Sequence, residues 1–281
     1  MGKTKIQEVV SALERFAPLP LQEGFDNAGL QVGLTETQEV SGALLCLDVT
    51  EAVVDEAVAL KCNLIVSHHP LLFHALKKIT GKDDVQRAVV KAIRNDITVV
   101  SMHTNMDNAP GGVNFRIAEK MGMENLAFFG PQKTVERPAA AGAKGAADDS
   151  ASVTGASGVV GELKEALAAQ DFMVMLKRTF DVECVMANQL LHRPIKRVAV
   201  CGGAGAFLLG DAIAAGADAF VTGEMHYHDY FGHDQEIQIA VIGHYQSEQY
   251  TNEVFRDIIQ EQFPDVKCYL SQANINPIVY I

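Results

Sequence analysis

Asn63-Leu64-Ile65-Val66-Ser67-His68-His69-Pro70 decides the reading of this chain: a short apolar run with the character of a buried strand leads directly into two adjacent histidines, and proline ends it. In an α/β sheet, ligands bind in the crevice at the carboxyl ends of parallel strands. Two imidazoles at such an exit are therefore placed where a site forms. The pair fits a metal site. It also fits a pair of capping or core imidazoles that hydrogen-bond within a turn, and the rest of the chain has to choose between the two.

Working outward, residues 43–49 read as a strand, 50–61 as a helix and Leu64–Ser67 as the next strand. This β-α-β unit implies parallel strands joined by a right-handed crossover. Residues 84–95 read as a helix and 97–102 as a strand that ends in His103-Thr104-Asn105-Met106-Asp107, with a further helix over 113–121. Upstream, Ile6, Val9, Val10, Leu13 and Phe16 make one helical face, and Gly24 to Gly33 reads as a tight loop entering a short strand. Residues 161–170 read as a helix and 172–176 as extended.

A second β-α-β unit starts at Arg197: a strand to Cys201, the turn Gly202-Gly203-Ala204-Gly205, a helix over 206–215 and the strand Ala219–Thr222. The glycine turn could cradle a phosphate on its amides, but it lacks the dinucleotide and P-loop spacings, and a sharp strand-to-helix turn explains it more simply. The strand delivers Gly223-Glu224-Met225-His226. A last strand over 239–242 delivers Gly243-His244-Tyr245-Gln246-Ser247-Glu248 and an amphipathic helix to about Phe263.

The two halves superpose as patterns. Strand-helix-strand ending near His68 and His69 matches strand-helix-strand ending near Glu224 and His226, and the following strand ends in His103-x-x-x-Asp107 in one half and His244-x-x-x-Glu248 in the other. Imidazoles and carboxylates from separate strand exits form a ligand set that suits zinc, manganese, iron or nickel. One tetrahedral ion cannot use them all. Two divalent ions about 3.5–4 Å apart can share them, and with one Asp and one Glu they leave about two positive charges for an anionic substrate group.

The expected fold class is α/β: two similar three-layer α/β lobes with mostly parallel sheets, an N-terminal lobe over 1–130, an Ala/Gly-rich linker or insertion over 131–160, and a C-terminal lobe over 161–281. A length of 281 residues agrees with two domains. The net charge of -12 argues against a nucleic-acid partner. No stretch approaches the roughly 20 apolar residues of a membrane span. Five cysteines, odd in number and without close pairing, read as reduced thiols in a cytoplasmic protein.

Phe25-Asp26-Asn27-Ala28-Gly29-Leu30, Ser67-His68-His69-Pro70, His103-Thr104-Asn105-Met106-Asp107, Gly161-Glu162-Leu163, Gly223-Glu224-Met225-His226 and Gly243-His244-Tyr245-Gln246-Ser247-Glu248 together resemble the NIF-three-like family, whose bacterial members carry the label GTP cyclohydrolase I type 2 homolog. The resemblance spans nearly the whole chain. It implies a dinuclear metal centre and a ring-shaped homohexamer. By position it implies His68, His69, Asp107, His244 and Glu248 as ligands, with Glu248 bridging, His69 and Asp107 on one ion, and His68 and His244 on the other. His103, Glu224 and His226 match family blocks as residues that orient ligands or face substrate. The implied activity is metal-dependent hydrolysis, by opening of the GTP purine ring or by phosphoester cleavage, on a small anionic or nucleotide-like substrate. The rival implication is a non-catalytic metal-binding hexamer acting as scaffold, metal carrier or chaperone-like partner.

Overall fold

The structure, a computed structural model, describes residues 3–33, 38–138 and 151–281. In chain order its strands are β1 (Gly29–Val32), β2 (Ala43–Cys46), β3 (Leu64–Ser67), β4 (Thr98–Ser101), β5 (Met123–Phe129), β6 (Lys133–Glu136), β7 (Ser152–Gly155), β8 (Gly158–Leu167), β9 (Met186–Ala187), β10 (Ile195–Cys201), β11 (Ala219–Thr222), β12 (Gln238–Val241) and β13 (Cys268–Leu270). Two compact units emerge. The first contains residues 1–106, 135–153 and 251–281, and the second contains 107–134 and 154–250.

The first unit is built on a five-stranded sheet in the order β1-β4-β3-β2-β13. Strands β2, β3 and β4 follow one another as parallel neighbours, as the apolar runs separated by helices require, while β1 joins antiparallel. Leu44, Ile65 and Val99 alternate onto one face and pack with Val53, Val54 and Ala57 of helix Glu51–Ala59 and with Ala88, Val89 and Ala92 of helix Asp84–Arg94. Thr50 caps the first of these helices on the Val53 amide, and Asp83 caps the second on the Gln86 amide. Helices Ile6–Phe16 and Thr251–Gln262 pack on each other, and Thr251–Gln262 also packs on β2 and β13.

The second unit has a six-stranded sheet in the order β5-β8-β10-β11-β12-β9. Its centre repeats the first: β10, β11 and β12 are successive parallel neighbours. Its flanks differ from the expectation of mostly parallel sheets, because β5/β8, β8/β10 and β12/β9 are all antiparallel. The mixed α/β class holds, and the repeat is the parallel three-strand centre rather than the whole sheet.

The expected boundaries give way in two places. Residues 123–129 pair with β8 of the second unit, and β13 returns from the far end of the chain to pair with β2, Cys268 opposite Ala43. Ladder hydrogen bonds between segments distant in sequence set these memberships, and no local pattern announces them. Of residues 161–170, 161–167 are strand rather than helix and 169–170 begin the next helix: β8 lies between β5 and β10, and a Cβ at Gly158 would stand 2.4 Å from the Phe129 ring. Residues 172–176 are helical, within Ala169–Phe180, whose Ala169, Phe172, Met173, Leu176 and Phe180 bury one 3.6-period face. Of the expected 131–160 insertion, residues 139–150 lie outside the described residues, and β6 and β7 pair as a two-stranded ribbon on either side of them. Among the described residues, no helix is long and apolar enough to cross a membrane.

The C-terminal segment is tied down by one carboxylate. Glu56 accepts from the Ser271 hydroxyl at 2.6 Å and from the Gln272 and Ala273 amides at 2.9 and 3.1 Å. Asn274 then accepts from the Leu47 and Asp48 amides at the exit of β2. Burial pushes the Glu56 carboxyl up, but the hydrogen bonds from Gln272, Ser271 and Ala273 outweigh it and hold the group below its ordinary 4.5. Its contribution to stability is therefore complete above that ordinary value and is lost as the pH falls through the lower folded one. Glu56→Ala is expected to cost about 1–3 kcal/mol and to accelerate amide exchange at Gln272 and Ala273, checked by thermal melts at pH 7 and pH 3. The gap between variant and parent should narrow at the lower pH.

Candidate metal centre

In each unit the three successive parallel strands end on the chemistry-bearing residues. In the first unit, ladder bonding runs past the end of β3: the His68 amide donates to the Cys46 carbonyl at 3.1 Å and the His69 amide to the Leu47 carbonyl at 2.9 Å. Ser67 and Ser101, opposite each other in β3 and β4, share a hydroxyl hydrogen bond at 2.7 Å, and the hydroxyl whose hydrogen is left over donates to the His69 carbonyl, 3.0 Å from Ser67 Oγ and 3.4 Å from Ser101 Oγ. The two histidines are thus fixed by backbone before any side-chain contact is counted.

The side chains are fixed as well. His68, fully buried, places Nδ1 3.0 Å from the Met102 carbonyl. A carbonyl only accepts, so Nδ1 carries the hydrogen and Nε2 the lone pair. His69 Nδ1 lies 2.9 Å from Asp48 Oδ1, and His103 Nδ1 lies 2.7 Å from Asp26 Oδ1. The three rings converge, with centroids 4.9, 5.2 and 5.4 Å apart, and one ring nitrogen from each falls within 4.8 Å of the others. His103, expected as an orienting residue, thus stands in the imidazole cluster on the same footing as His68 and His69.

Asp26 is the buried anchor of this set. Besides His103 it accepts from the Thr104 amide at 3.0 Å, from the Thr104 hydroxyl and from the Asn27 amide. Burial pushes its carboxyl up, but the hydrogen bonds from His103 and Thr104, the His103 charge and the Asn27 amide hold it down at about 2.

In the second unit, His244 opens helix His244–Glu248 at the exit of β12. Its Nδ1 lies 2.9 Å from Glu224 Oε1, and its Nε2 lies 3.0 Å from Oε2 of the buried Glu248. An imidazole with its hydrogen on Nδ1 would set an Nε2 lone pair against an anionic oxygen. The pair therefore needs a shared cation, either a proton or a metal ion. Nitrogen and oxygen ligands of one tetrahedral zinc stand about 3.3 Å apart, close to the spacing observed. A carboxylate oxygen of Asp107 also falls within 4.8 Å of one of Glu248.

Backbone holds the second set too. Gly203 has φ +58, its amide donates to Ser247 Oγ at 3.0 Å, and its carbonyl accepts from the Glu224 amide at 2.9 Å. A Cβ there would stand 2.2 Å from Glu248 Oε1. The glycine turn is thus a cradle for a carboxylate. Asn114 joins Asp107 to this turn, donating to the Asp107 carbonyl at 3.3 Å and accepting from the Gly202 amide at 2.8 Å.

The donor chemistry fits divalent metal: in His68, His69, His103 and His244 Nδ1 is engaged by a carboxylate or carbonyl, which orients the ring and offers Nε2, the arrangement that surrounds ligating imidazoles. Cys201 lies beside Asp107 and Glu248, but burial first and those two charges second push its thiol well above its ordinary value, so it stays protonated. All five cysteines are free thiols.

The family model described as Duf34/NIF3 (NGG1p interacting factor 3) matches residues 4–277. The chain belongs to the Duf34/NIF3 family. Two relatives carry the name GTP cyclohydrolase 1 type 2 homolog: one from Clostridium perfringens, 33% identical over 249 residues and covering 87% of each chain, and one from Lactococcus lactis, 30% identical over 280 residues and covering 97% of this chain and 98% of the relative. Among solved structures, a Staphylococcus aureus hypothetical protein matches at 27% identity with a TM-score of 0.86 over 100% of both chains. A Bacillus cereus protein related to NIF3 matches at 25% identity with a TM-score of 0.82, also over 100% of both.

In this Duf34/NIF3 chain, Glu224 Oε1 lies 2.9 Å from His244 Nδ1. His226 instead caps the turn Tyr227–Tyr230, its amide donating to Asp229 at 3.0 Å, and it is exposed. Asp48, Asn114 and Ser247 escaped the sequence reading as site residues. Asp48 is placed by the strand register: Cys46 pairs with Ser67, so two residues on, Asp48 faces His69. Asp48→Asn is expected to weaken metal affinity about 10–100-fold with the fold intact, measured by competition against a metallochromic chelator.

Proposed function

We propose that this chain is a divalent-metal-dependent hydrolase whose metal ligands are His68, His69, Asp107, His244 and Glu248. The observation that carries the reading is the Nδ1 anchoring of His68, His69 and His244 to Met102, Asp48 and Glu224 at 2.9–3.0 Å. Such anchoring spends one ring nitrogen on orientation and reserves the other for a cation. A pair of bound ions, zinc, iron, manganese or nickel, would supply Lewis acidity toward a carbonyl or phosphoryl oxygen and toward water. Glu248 is proposed as the carboxylate shared by both ions, with His69 and Asp107 serving one and His68 and His244 the other.

The chain's own part is to bind and orient. Asp48, Glu224 and the Met102 carbonyl fix the imidazole rings, Gly203 leaves room for the Glu248 carboxylate, Ser247 donates to the His244 carbonyl, and Asp26 fixes His103. With only Asp107 and Glu248 contributing negative charge among the five ligands, the filled centre keeps about two positive charges, which suits a small anionic or nucleotide-like substrate.

The relatives' name directs the first assay to GTP. Full-length protein loaded in turn with each metal is incubated with GTP, and ring opening is followed by loss of the purine absorbance while phosphate is assayed in parallel. Ring-opened product supports the cyclohydrolase chemistry, and phosphate release with the purine intact supports phosphoester hydrolysis. Neither product, from protein that holds stoichiometric metal, moves the reading to a non-catalytic metal-binding scaffold or carrier, which the family description as an interacting factor favours. We further propose a homohexamer working in the cytoplasm, tested by light scattering of the full chain.

A further inference from the structure

Two large rings stand in the open beside the imidazoles of the first unit. Phe25 is 67% exposed and Phe73 41% exposed. Their centroids are 6.5 Å apart with planes at 61°. Phe73 meets the His103 ring edge-on at 6.2 Å and the His74 ring at 5.0 Å. Neither ring is on a loose segment. Asn27 donates to the Leu72 carbonyl at 2.8 Å, the Leu72 amide donates to Gln31 Oε1 at 3.1 Å, and Gln31 Nε2 returns to the Asn27 carbonyl at 2.7 Å, so the two loops are tied to each other. Asp26, next to Phe25, is held by His103 and Thr104.

The same loop shows that burial was available: Leu71, two residues before Phe73, packs into the core. Two rings kept exposed on tied loops, next to converging imidazoles, form the usual composition of a ligand site, apolar surface with a few convergent polar groups. An edge-to-face pair leaves ring faces uncovered, and a ring face is matched by another planar ring.

We propose that Phe25 and Phe73 form a stacking platform for the planar heteroaromatic ring of the substrate, holding that ring beside His103. The inference deepens the hydrolase reading and rests on it for the purpose of the ring, whereas binding of the ring is measured without turnover.

The chain contains no tryptophan, so Phe25→Trp installs a single indole reporter at an exposed position. The variant is titrated with guanosine, GTP and ribose 5-phosphate, with and without metal, and its fold is checked by circular dichroism. Guanosine and GTP are expected to quench the indole and ribose 5-phosphate is not. Adding Phe73→Ala is expected to weaken guanosine binding on the order of tenfold. Equal responses to guanosine and ribose 5-phosphate, or no quenching by any probe in folded protein, would overturn the platform. So would loss of an oligomer in the Phe25→Ala, Phe73→Ala double variant with guanosine affinity unchanged, because the rings would then belong to a contact between copies. Phosphoester turnover without quenching removes the platform and leaves the hydrolase reading, while quenching without turnover does the reverse.

Discussion

Gly203→Ala is expected to lower metal affinity more than 100-fold, beyond the roughly 10–100-fold typical of residues that only orient a ligand. The added methyl would stand 2.2 Å from Glu248 Oε1, 3.3 Å from its Cδ and 3.4 Å from His244 Nε2. The backbone cannot retreat easily, since the Gly203 amide is committed to Ser247 and its carbonyl to the Glu224 amide and, at 3.3 Å, to the Thr222 hydroxyl. The carboxylate must therefore move, and it is the group proposed to be shared by both ions. A φ of +58 adds about 1–2 kcal/mol of backbone strain for any residue with a Cβ, so the melting temperature should also fall by several degrees. Calorimetric metal titration beside thermal melts separates the two effects. Wild-type affinity in the variant would show that the Glu248 carboxylate is not a ligand.

Glu248→Ala is expected to change stability far more with metal than without it. In the metal-free protein, Glu248 is a buried carboxylate with an oxygen of Asp107 within 4.8 Å. Two nearby anions repel, while the Glu248 Oε2 contact with His244 Nε2 at 3.0 Å opposes that repulsion, so removing Glu248 should shift the metal-free melting temperature little. The same substitution should remove the stabilisation that metal confers on the native state, about 2.7 kcal/mol at a free concentration 100 times the dissociation constant. Melts in chelator and in excess zinc or manganese check this. A metal-induced rise in the variant as large as in the parent would contradict the assignment.

Much of the fold was legible because it is written locally. Leu64–Ser67 was recoverable to the residue from an apolar run bounded by polar residues and proline, and the repeated strand-helix-strand units followed from alternation of period. What escaped was set by distant partners. Strand β8 carries Glu162, Lys164 and Glu165, which read as the solvated side of a helix until β5 and β10 flank it. The helix Ala169–Phe180 does carry its signal in the sequence, a 3.6-residue period in Phe172, Met173, Leu176 and Phe180. Strand β13 had none, because three residues gain strand character only by pairing with β2.

The site divides along the same line. His68, His69, His103, Asp107, His244 and Glu248 stand out as reactive residue types at strand exits. Asp48 requires the β2/β3 register, and Asn114 sits unmarked in a helix while bonding Asp107 to Gly202, 88 residues along the chain. The glycine turn was seen and explained as a bend, whereas its Gly203 makes room for a carboxylate that arrives from residue 248. Steric need of that kind cannot be read from spacing.

His69 and Glu248 are both proposed as metal ligands. Elemental analysis of full-length protein purified without chelator, for the parent and for His69→Ala and Glu248→Ala, tests this most directly. The parent is expected to carry divalent metal, and each folded variant roughly a tenth of that content or less. Folded Glu248→Ala that retains the parent's metal stoichiometry would contradict the account.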